Sequence, residues 1–287
     1  MTGSVVVGIA LALVASLALN GSFLLQHVGS ARAVRITLRR PVASLRGLLG
    51  SRLWLVGTTA GLAGWGVHVA ALSRAPLSLV QAFSAGGLAL AMPLAARITH
   101  AALTASERRA VLAMVGALVL LSVGAGPPGP GVASVALMAA FLAIATAGAG
   151  AFAAAPAGGR RAHGLGVAAG VLYGAADAAT KAATAVVHHG GVHAAVLSPW
   201  VLVVAVASAG AFFCFQRGLQ IGPALPVIAL MTAATNLVAV AGGLVVFAEP
   251  LGASAASSVA HVVAFALVGA AAWRLSGAQA RMVHASA

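Results

Sequence analysis

The stretch that decides the fold is Leu172-Tyr-Gly-Ala-Ala-Asp-Ala-Ala-Thr-Lys181, which lies inside an apolar segment of residues 163–186. That segment is long enough to cross a bilayer, since about 20 predominantly apolar residues suffice. It nevertheless carries Asp177, one of three acidic residues, and Lys181, the only lysine. Insertion scales put the cost of such a group at about 2.5–3.5 kcal/mol at mid-membrane, so these residues usually face a bundle interior or a wet cavity.

Asp177 and Lys181 are four residues apart, which places both side chains on one face of a helix with the acid before the base. One interpretation is a substrate or proton site. The other is a neutralised structural pair, in which Lys181 extends toward the nearby helix end. Both interpretations stay open from the sequence.

The composition of the whole chain indicates a membrane protein. The chain has 287 residues, of which 61% are hydrophobic and only 7% charged, and its mean hydropathy is +1.06. Soluble proteins usually contain about 25% charged residues. We therefore predict an all-α polytopic membrane protein with the lipid bilayer as a partner. The net charge of +13 does not predict nucleic-acid binding, because the basic residues fall between apolar segments, where topology signals lie.

Nine apolar segments predict about nine transmembrane helices. Their approximate bounds are 4–26, 53–72, 77–97, 108–125, 132–154, 163–186, 194–215, 224–247 and 254–274. The Pro- and Gly-rich turn at residues 126–131 interrupts any helix, so we place the boundary between two halves there. The predicted units are a first half over 1–127 with a basic cytoplasmic loop at 30–52, a linker span over 131–154, and a second half over 163–287.

Three shorter motifs invite functional interpretations. The six arginines of residues 30–52 fit either a segment lying on the membrane surface or a plain basic loop. Thr104 and Glu107 form a capping-box pattern, which predicts that Glu107 caps a helix and is not a catalytic acid. The histidines of residues 188–193 are accompanied by no Cys or carboxylate, so we expect a flexible polar loop and no metal site.

The arginines also predict the orientation in the membrane. When the gaps between spans are numbered alternately, 14 of the 15 arginines fall on one side and only Arg74 falls on the other. The positive-inside rule then places the N-terminus outside and the C-terminus in the cytoplasm of a cell whose plasma membrane the chain spans several times.

An internal repeat relates the two halves at a constant offset of 147 residues. Six positions match without a gap: small residues at 71/218 and 75/222, Leu72/Leu219, Pro76/Pro223, Val80/Val227 and Ala82/Ala229. Spans one to four then correspond to spans six to nine, and span five is a linker. Five spans separate the partners, so each pair points in opposite directions, as in the inverted repeats of transporters.

Such carriers bind substrate near the membrane midplane, where the repeats meet. The polar residues inside the predicted spans form the candidate substrate-binding set: Asn20, Ser22, Gln81, Ser84, Asp177, Lys181, Thr232 and Asn236. The alternative for each of them is an interhelical hydrogen bond between helices of small residues. We expect no catalytic residues, no cofactor and no metal-binding site.

Several stretches resemble a known family. Leu19-Asn-Gly-Ser-Phe-Leu-Leu25 followed by a basic loop and Leu53-Trp-Leu-Val, together with Lys181 and Phe215-Gln-Arg-Gly-Leu-Gln220, is similar to the NIPA-like branch of the drug/metabolite transporter superfamily and to EamA-type carriers. The resemblance implies an inverted-repeat carrier, and for NIPA-like proteins it implies Mg²⁺ transport.

We expect a carrier that moves a small solute, and the alternative is a NIPA-like Mg²⁺ transporter. Mg²⁺ prefers carboxylate ligands, and only Asp177 offers one deep in the membrane, with Lys181 beside it to repel a dication. A lipid-handling protein is a weaker alternative, because the loop at 30–52 would attract anionic head groups. An enzyme is not expected, since the acidic and histidine residues form no cluster at one membrane face. The expected partners are a small-molecule or ion substrate, and a homodimer is left open.

Overall fold

The computed structural model describes residues 3–30, 41–98, 103–122, 134–154, 159–222, 224–250 and 254–285. These residues contain ten α-helices and no strand. In chain order the helices are α1 Gly3–Ser30, α2 Pro41–Leu49, α3 Arg52–Leu72, α4 Leu77–Ile98, α5 Ala105–Ser122, α6 Val135–Ala153, α7 Gly159–Val196, α8 Pro199–Ile221, α9 Ala224–Val245 and α10 Ala255–Ala285.

Six helices in the described part of the chain are long and apolar enough to cross a membrane. They cover Gly3–Ser22, Arg52–Leu72, Val135–Ala153, Pro199–Ile221, Pro226–Val245 and Ala255–Ala272. The predicted all-helical class is therefore confirmed, and the helices are compatible with a multi-pass integral membrane protein. The count of nine spans stays a prediction.

The two predicted halves share one hydrophobic core. In the first half α1 packs against α3 and α4, and in the second half α7 packs against α8 and α9. Between the halves, α4 packs against α9 and α10, and α5 packs against α10. Val80 and Ala82 of α4 are accordingly buried in the same cluster as Ala178 of α7 and Ala239 of α9. The interface between the halves is therefore formed mainly by α4 and α5 against α9 and α10, with a smaller contact of α3 and α4 with α7.

A row of glycines lets α7 approach α9 closely. Gly166, Gly170 and Gly174 are spaced four residues apart and therefore lie on one face of α7. A Cβ atom built on Gly166 would lie 2.9 Å from the carbonyl oxygen of Val227, and one built on Gly174 would lie 2.8 Å from that of Thr235. Small residues at such positions are typical of helix packing inside membranes.

The helix boundaries follow the offset found in the sequence matches. α3 begins at Arg52 and α8 at Pro199, and α4 begins at Leu77 and α9 at Ala224, 147 residues apart in both cases. Two of the four predicted helix pairs therefore begin at the offset found in the sequence, and the repeat itself stays a prediction.

The start of α5 confirms the capping box. The backbone N–H of Thr104 donates to Oε2 of Glu107 at 2.8 Å, and the backbone N–H of Glu107 donates to Oγ1 of Thr104 at 3.3 Å. Glu107 thus stabilises the first turn of α5, where the helix dipole also favours a negative charge.

The prediction of a flexible polar loop at residues 188–193 is wrong. This segment continues α7, whose backbone leaves the helical region only at Gly191, with φ +76° and ψ 176°. Glycine adopts a positive φ without steric cost, so one residue redirects the chain before α8 begins. The chain therefore turns here through a kink.

Two other predicted segments lie largely outside the described residues. The Pro-rich turn at 126–131 falls wholly outside them, and so do residues 31–40 of the basic segment. Of that segment, the described helix α2 ends beside α3, where Leu48 is fully buried against Trp54. Whether the remainder lies on the membrane stays an open prediction.

Candidate functional site

Asp177 joins the two halves through polar contacts with α3 and α4. Its Oδ2 accepts a hydrogen bond from Nε2 of Gln81 at 2.6 Å. Its Oδ1 lies 3.4 Å from Nε2 of His68. The side chain of Asp177 is 13% exposed and that of His68 is 6% exposed. We call Asp177, Gln81 and His68 the acidic cluster. The structure thus brings together two residues of the predicted set, and they come from different halves.

His68 is the member of the acidic cluster that the sequence interpretation missed. Its ring is buried on α3, and neither ring nitrogen has a hydrogen bond with the part of the chain that the structure describes. The distance to Asp177 is within reach of an ion pair, but its geometry is not that of a hydrogen bond. The signal in the sequence was present, because an ionisable residue inside an apolar span is a functional candidate by default.

Lys181 does not pair with Asp177. Its Nζ donates to the carbonyl oxygens of Leu72 and Ala75, both at 2.6 Å, at the end of α3. The hypothesis of an Asp177–Lys181 pair is therefore wrong, although the two residues share a helix. The last carbonyl groups of a helix lack partners within that helix, and a cation placed there also meets the negative end of the helix dipole.

Glu249 binds the other end of the turn that joins α3 to α4. Its Oε1 accepts from the backbone N–H of Leu77 at 2.5 Å, and its Oε2 accepts from that of Ser78 at 2.9 Å, so it caps the start of α4. The sequence showed Glu249 only as the end of a span, because the helix that it caps is 171 residues away in the chain. The α3–α4 turn is thus held by a cation and an anion from the second half.

Asn20 and Ser84 are linked through a residue that the sequence interpretation did not single out. Nδ2 of Asn20 donates to the carbonyl oxygen and to Oγ of Ser16, at 2.8 and 3.1 Å, and the Ser16 hydroxyl donates to the carbonyl oxygen of Ser84. The hydroxyl group of Ser84 itself is buried without a partner. Ser84 follows Gln81 by three residues on α4, so this α1–α4 contact lies one helical turn from the acidic cluster.

The structure does not bring the other predicted residues into the acidic cluster. The hydroxyl group of Ser22 donates to the carbonyl oxygen of Leu19 in its own helix, at 2.7 Å, and faces Gly61 of α3. Thr232 and Asn236 are half-buried on α9. Within the described residues, no hydrogen bond connects either of them to Asp177.

A second polar contact between the halves joins α1 to α8. Nε2 of Gln216 donates to Oε1 of Gln26 at 2.9 Å, and both side chains are buried. Gln26 is near the end of α1 and Gln216 near the end of α8. Bringing two amides together satisfies polar groups that would otherwise be buried alone.

The arrangement can bind charge and form hydrogen bonds. Within the described residues, no three His, Cys, Asp or Glu side chains come close enough to hold a metal ion. The acidic cluster combines one carboxylate, one amide and one imidazole between the two halves, which suits recognition of a cationic or proton-donating group.

Comparison with protein-family models, with curated proteins and with solved structures finds no match for this chain.

Proposed function

We propose that the chain is a membrane carrier of the drug/metabolite type that moves a small solute by alternating access. In this proposal it spans the plasma membrane nine times, as four spans, a linker span and four spans, with the N-terminus outside and the C-terminus in the cytoplasm. The acidic cluster is the centre of its transport site.

One observation carries the proposal. The acidic cluster joins Asp177 of the second half to His68 and Gln81 of the first half, and the side chains of His68 and Gln81 are buried. Carriers with inverted repeats bind their substrates at the interface of the repeats, near the membrane midplane. A buried carboxylate in that place carries a large desolvation cost, so a stabilising role alone would be better served by apolar residues.

The helix boundaries support the repeat on which the proposal rests. The common offset of 147 residues relates α3 to α8 and α4 to α9. The packing of α1 on α3 and α4 also resembles that of α7 on α8 and α9. Two similar halves that meet across α4 and α9 can rock about that contact and open alternately to either side.

Counterflow in proteoliposomes tests the proposal. The purified protein is reconstituted, the vesicles are loaded with one unlabelled solute from a panel of small metabolites, and uptake of the same labelled solute is followed. A carrier shows faster uptake when the solute is present on both sides, whereas a channel does not. Protein-free vesicles and vesicles with heat-denatured protein are the controls.

Two results would overturn the proposal. One is the absence of counterflow for every solute with well-folded protein. The other is a flux restricted to Mg²⁺, which would replace the proposed function with that of a magnesium transporter.

A further inference from the structure

We propose that Asp177 holds a single positive charge that the protein does not supply, delivered by a proton or by the cationic group of a solute. The inference rests on the proposed carrier function and names the charge of what that carrier binds. Two observations carry it: the hydrogen-bond partners of the three acidic side chains, and the positions of the cationic groups near Asp177 among the described residues.

The other two acidic residues already bind helix ends. Glu107 accepts from the backbone N–H of Thr104 in the capping box of α5. Glu249 accepts from two backbone N–H groups at the start of α4. Asp177 lies in the middle of α7 and caps no helix. In the described part of the chain, it is therefore the one carboxylate that accepts no hydrogen bond from a backbone N–H group.

Among the residues that the structure describes, no permanently charged side chain pairs with Asp177. Lys181, on the next turn of α7, donates to carbonyl oxygens of α3 and is held away from the carboxylate. Within the described residues, the one ion-pair contact of Asp177 is with His68, which is charged only when it is protonated. An unpaired carboxylate in a low-dielectric interior is costly, so the site favours a cation.

The titratable groups around Asp177 come from several helices. They are His68 on α3, Tyr173 and Lys181 on α7, Cys214 on α8 beside Tyr173, and Glu249 after α9, beside Lys181. Among them only His68 reaches the carboxylate, and both of its ring nitrogens lack hydrogen bonds. A proton taken from water therefore has two adjacent acceptors, Oδ1 of Asp177 and Nε2 of His68.

A solute with a cationic group would meet the same oxygen. Oδ2 of Asp177 is occupied by Gln81, whereas Oδ1 has no hydrogen-bond donor among the described residues. The buried hydroxyl of Ser84 has no partner and lies one turn along α4 from Gln81, so it can bind a polar part of the same solute. The contacts thus fit a group that carries a single positive charge.

The first experiment measures binding to the detergent-purified protein. The probes are tetraphenylphosphonium, its anionic counterpart tetraphenylborate, and magnesium chloride. We expect tetraphenylphosphonium to bind and the other two not to bind. Asp177→Asn should weaken its binding by about tenfold or more, which corresponds to about 1.4 kcal/mol, and Asp177→Glu should keep it. The control is His261→Gln, because His261 is as buried as His68 but lies on α10.

The second experiment tests the proton as the source of the charge. Proton entry into proteoliposomes is followed with an enclosed pH-sensitive dye after the outside is acidified. If the proton is the cation, Asp177→Asn and His68→Gln each reduce the protein-dependent flux by about tenfold, and His261→Gln does not. If tetraphenylphosphonium binds and no Asp177-dependent proton flux is seen, the cation is the charged group of a solute. If the proton flux depends on Asp177 and tetraphenylphosphonium does not bind, the cation is the proton.

A measurement on the wild-type protein covers the case in which Asp177→Asn does not fold. Dicyclohexylcarbodiimide reacts with protonated carboxyl groups in apolar surroundings, and mass spectrometry locates the product. We expect modification at Asp177, reduced by tetraphenylphosphonium, and little at Glu107 or Glu249, which accept backbone hydrogen bonds. The inference is overturned if Asp177 is not modified. It is also overturned if tetraphenylphosphonium leaves the modification of Asp177 unchanged and no protein-dependent proton flux is seen.

The inference and the proposed function fail in different ways. Asp177-dependent binding without counterflow of any solute would uphold the charged site and overturn the carrier. Counterflow of a neutral or anionic solute that Asp177→Asn leaves unchanged would uphold the carrier and overturn the charged site.

Discussion

Lys181 and Glu249 place opposite charges at the two ends of one turn. Lys181 binds the carbonyl groups of Leu72, the last residue of α3, and of Ala75 in the turn, and Glu249 binds the first N–H groups of α4. Each charge has the sign that the nearby helix dipole favours. Both residues belong to the second half, so the turn at residues 73–76 is tied to α7 and to the end of α9. Two of the buried charges are therefore structural.

Lys181→Met should lower the free energy of unfolding in detergent by about 1.5–3 kcal/mol, because hydrogen bonds from a charged donor are lost. Arg74→Ala is the control, since Arg74 is exposed on the same turn and binds only its own helix end, and it should change stability by no more than about 0.5 kcal/mol. Thermal unfolding of the purified variants measures both.

Combining Lys181→Met with Asp177→Asn checks the partner of Lys181. The two side chains share no partner but lie one helical turn apart, so we expect the double variant to be less stable than either single variant, with no recovery of stability. Recovery of stability in the double variant would instead restore the discarded Asp177–Lys181 pair.

At the scale of helices, α7 is the element against which the second half is packed. Its glycines at 166, 170 and 174 approach α9, and further along the same stripe of the helix Asp177 and Lys181 reach α4 and the end of α3. The small residues are needed because the neighbouring backbone, which cannot move aside as a side chain can, lies directly over them. The position of Asp177 in the interface therefore depends on how closely α7 and α9 pack.

Gly174→Leu should damage folding more than Gly86→Leu does. A Cβ atom at Gly174 would meet the backbone oxygen of Thr235 at 2.8 Å, whereas one at Gly86 would meet the flexible end of the Leu118 side chain. Gly150→Leu is the control, since its Cβ atom would meet nothing within 4 Å. The folded yield is measured by size-exclusion chromatography in detergent. It should be highest for Gly150→Leu, lower for Gly86→Leu and lowest for Gly174→Leu. A wild-type yield for Gly174→Leu would contradict the packing argument.

At the scale of the whole molecule, the arginine distribution and the fold together predict the topology. The α3–α4 turn and the kink of α7 lie close together, because Nε2 of His188 is 3.3 Å from the carbonyl oxygen of Ser73. Both segments are therefore expected on the same side of the membrane. The positive-inside rule assigns that side to the exterior, since Arg74 is the one arginine there.

Cysteine labelling in intact cells tests this topology after Cys214 is replaced by serine. An impermeant thiol reagent added outside should label His188→Cys and should leave Arg160→Cys unlabelled until the membrane is permeabilised. Both positions are exposed on the protein, so access depends on the side of the membrane. Labelling of position 188 only after permeabilisation would reverse the orientation.

The sequence alone was sufficient for the helical membrane class, for the capping box of Glu107 and for placing Gln81 and Asp177 in one candidate site. Composition and the length of the apolar runs indicate the helical membrane class. The capping box depends only on residues within one helical turn of each other, so its spacing can be read from the sequence. Gln81 and Asp177 were predicted together because few polar residues occur in the apolar spans, and polar groups there collect in the protein interior.

The tertiary structure decided which partner each buried polar group has. Periodicity shows that Asp177 and Lys181 share a face of α7, but the rotation and depth of α3 and α4 decide that Lys181 meets carbonyl oxygens and that Asp177 meets His68 and Gln81. Glu249 likewise finds its partners 171 and 172 residues away. Such contacts depend on how helices from distant parts of the chain pack, and local sequence spacing carries no information about that packing.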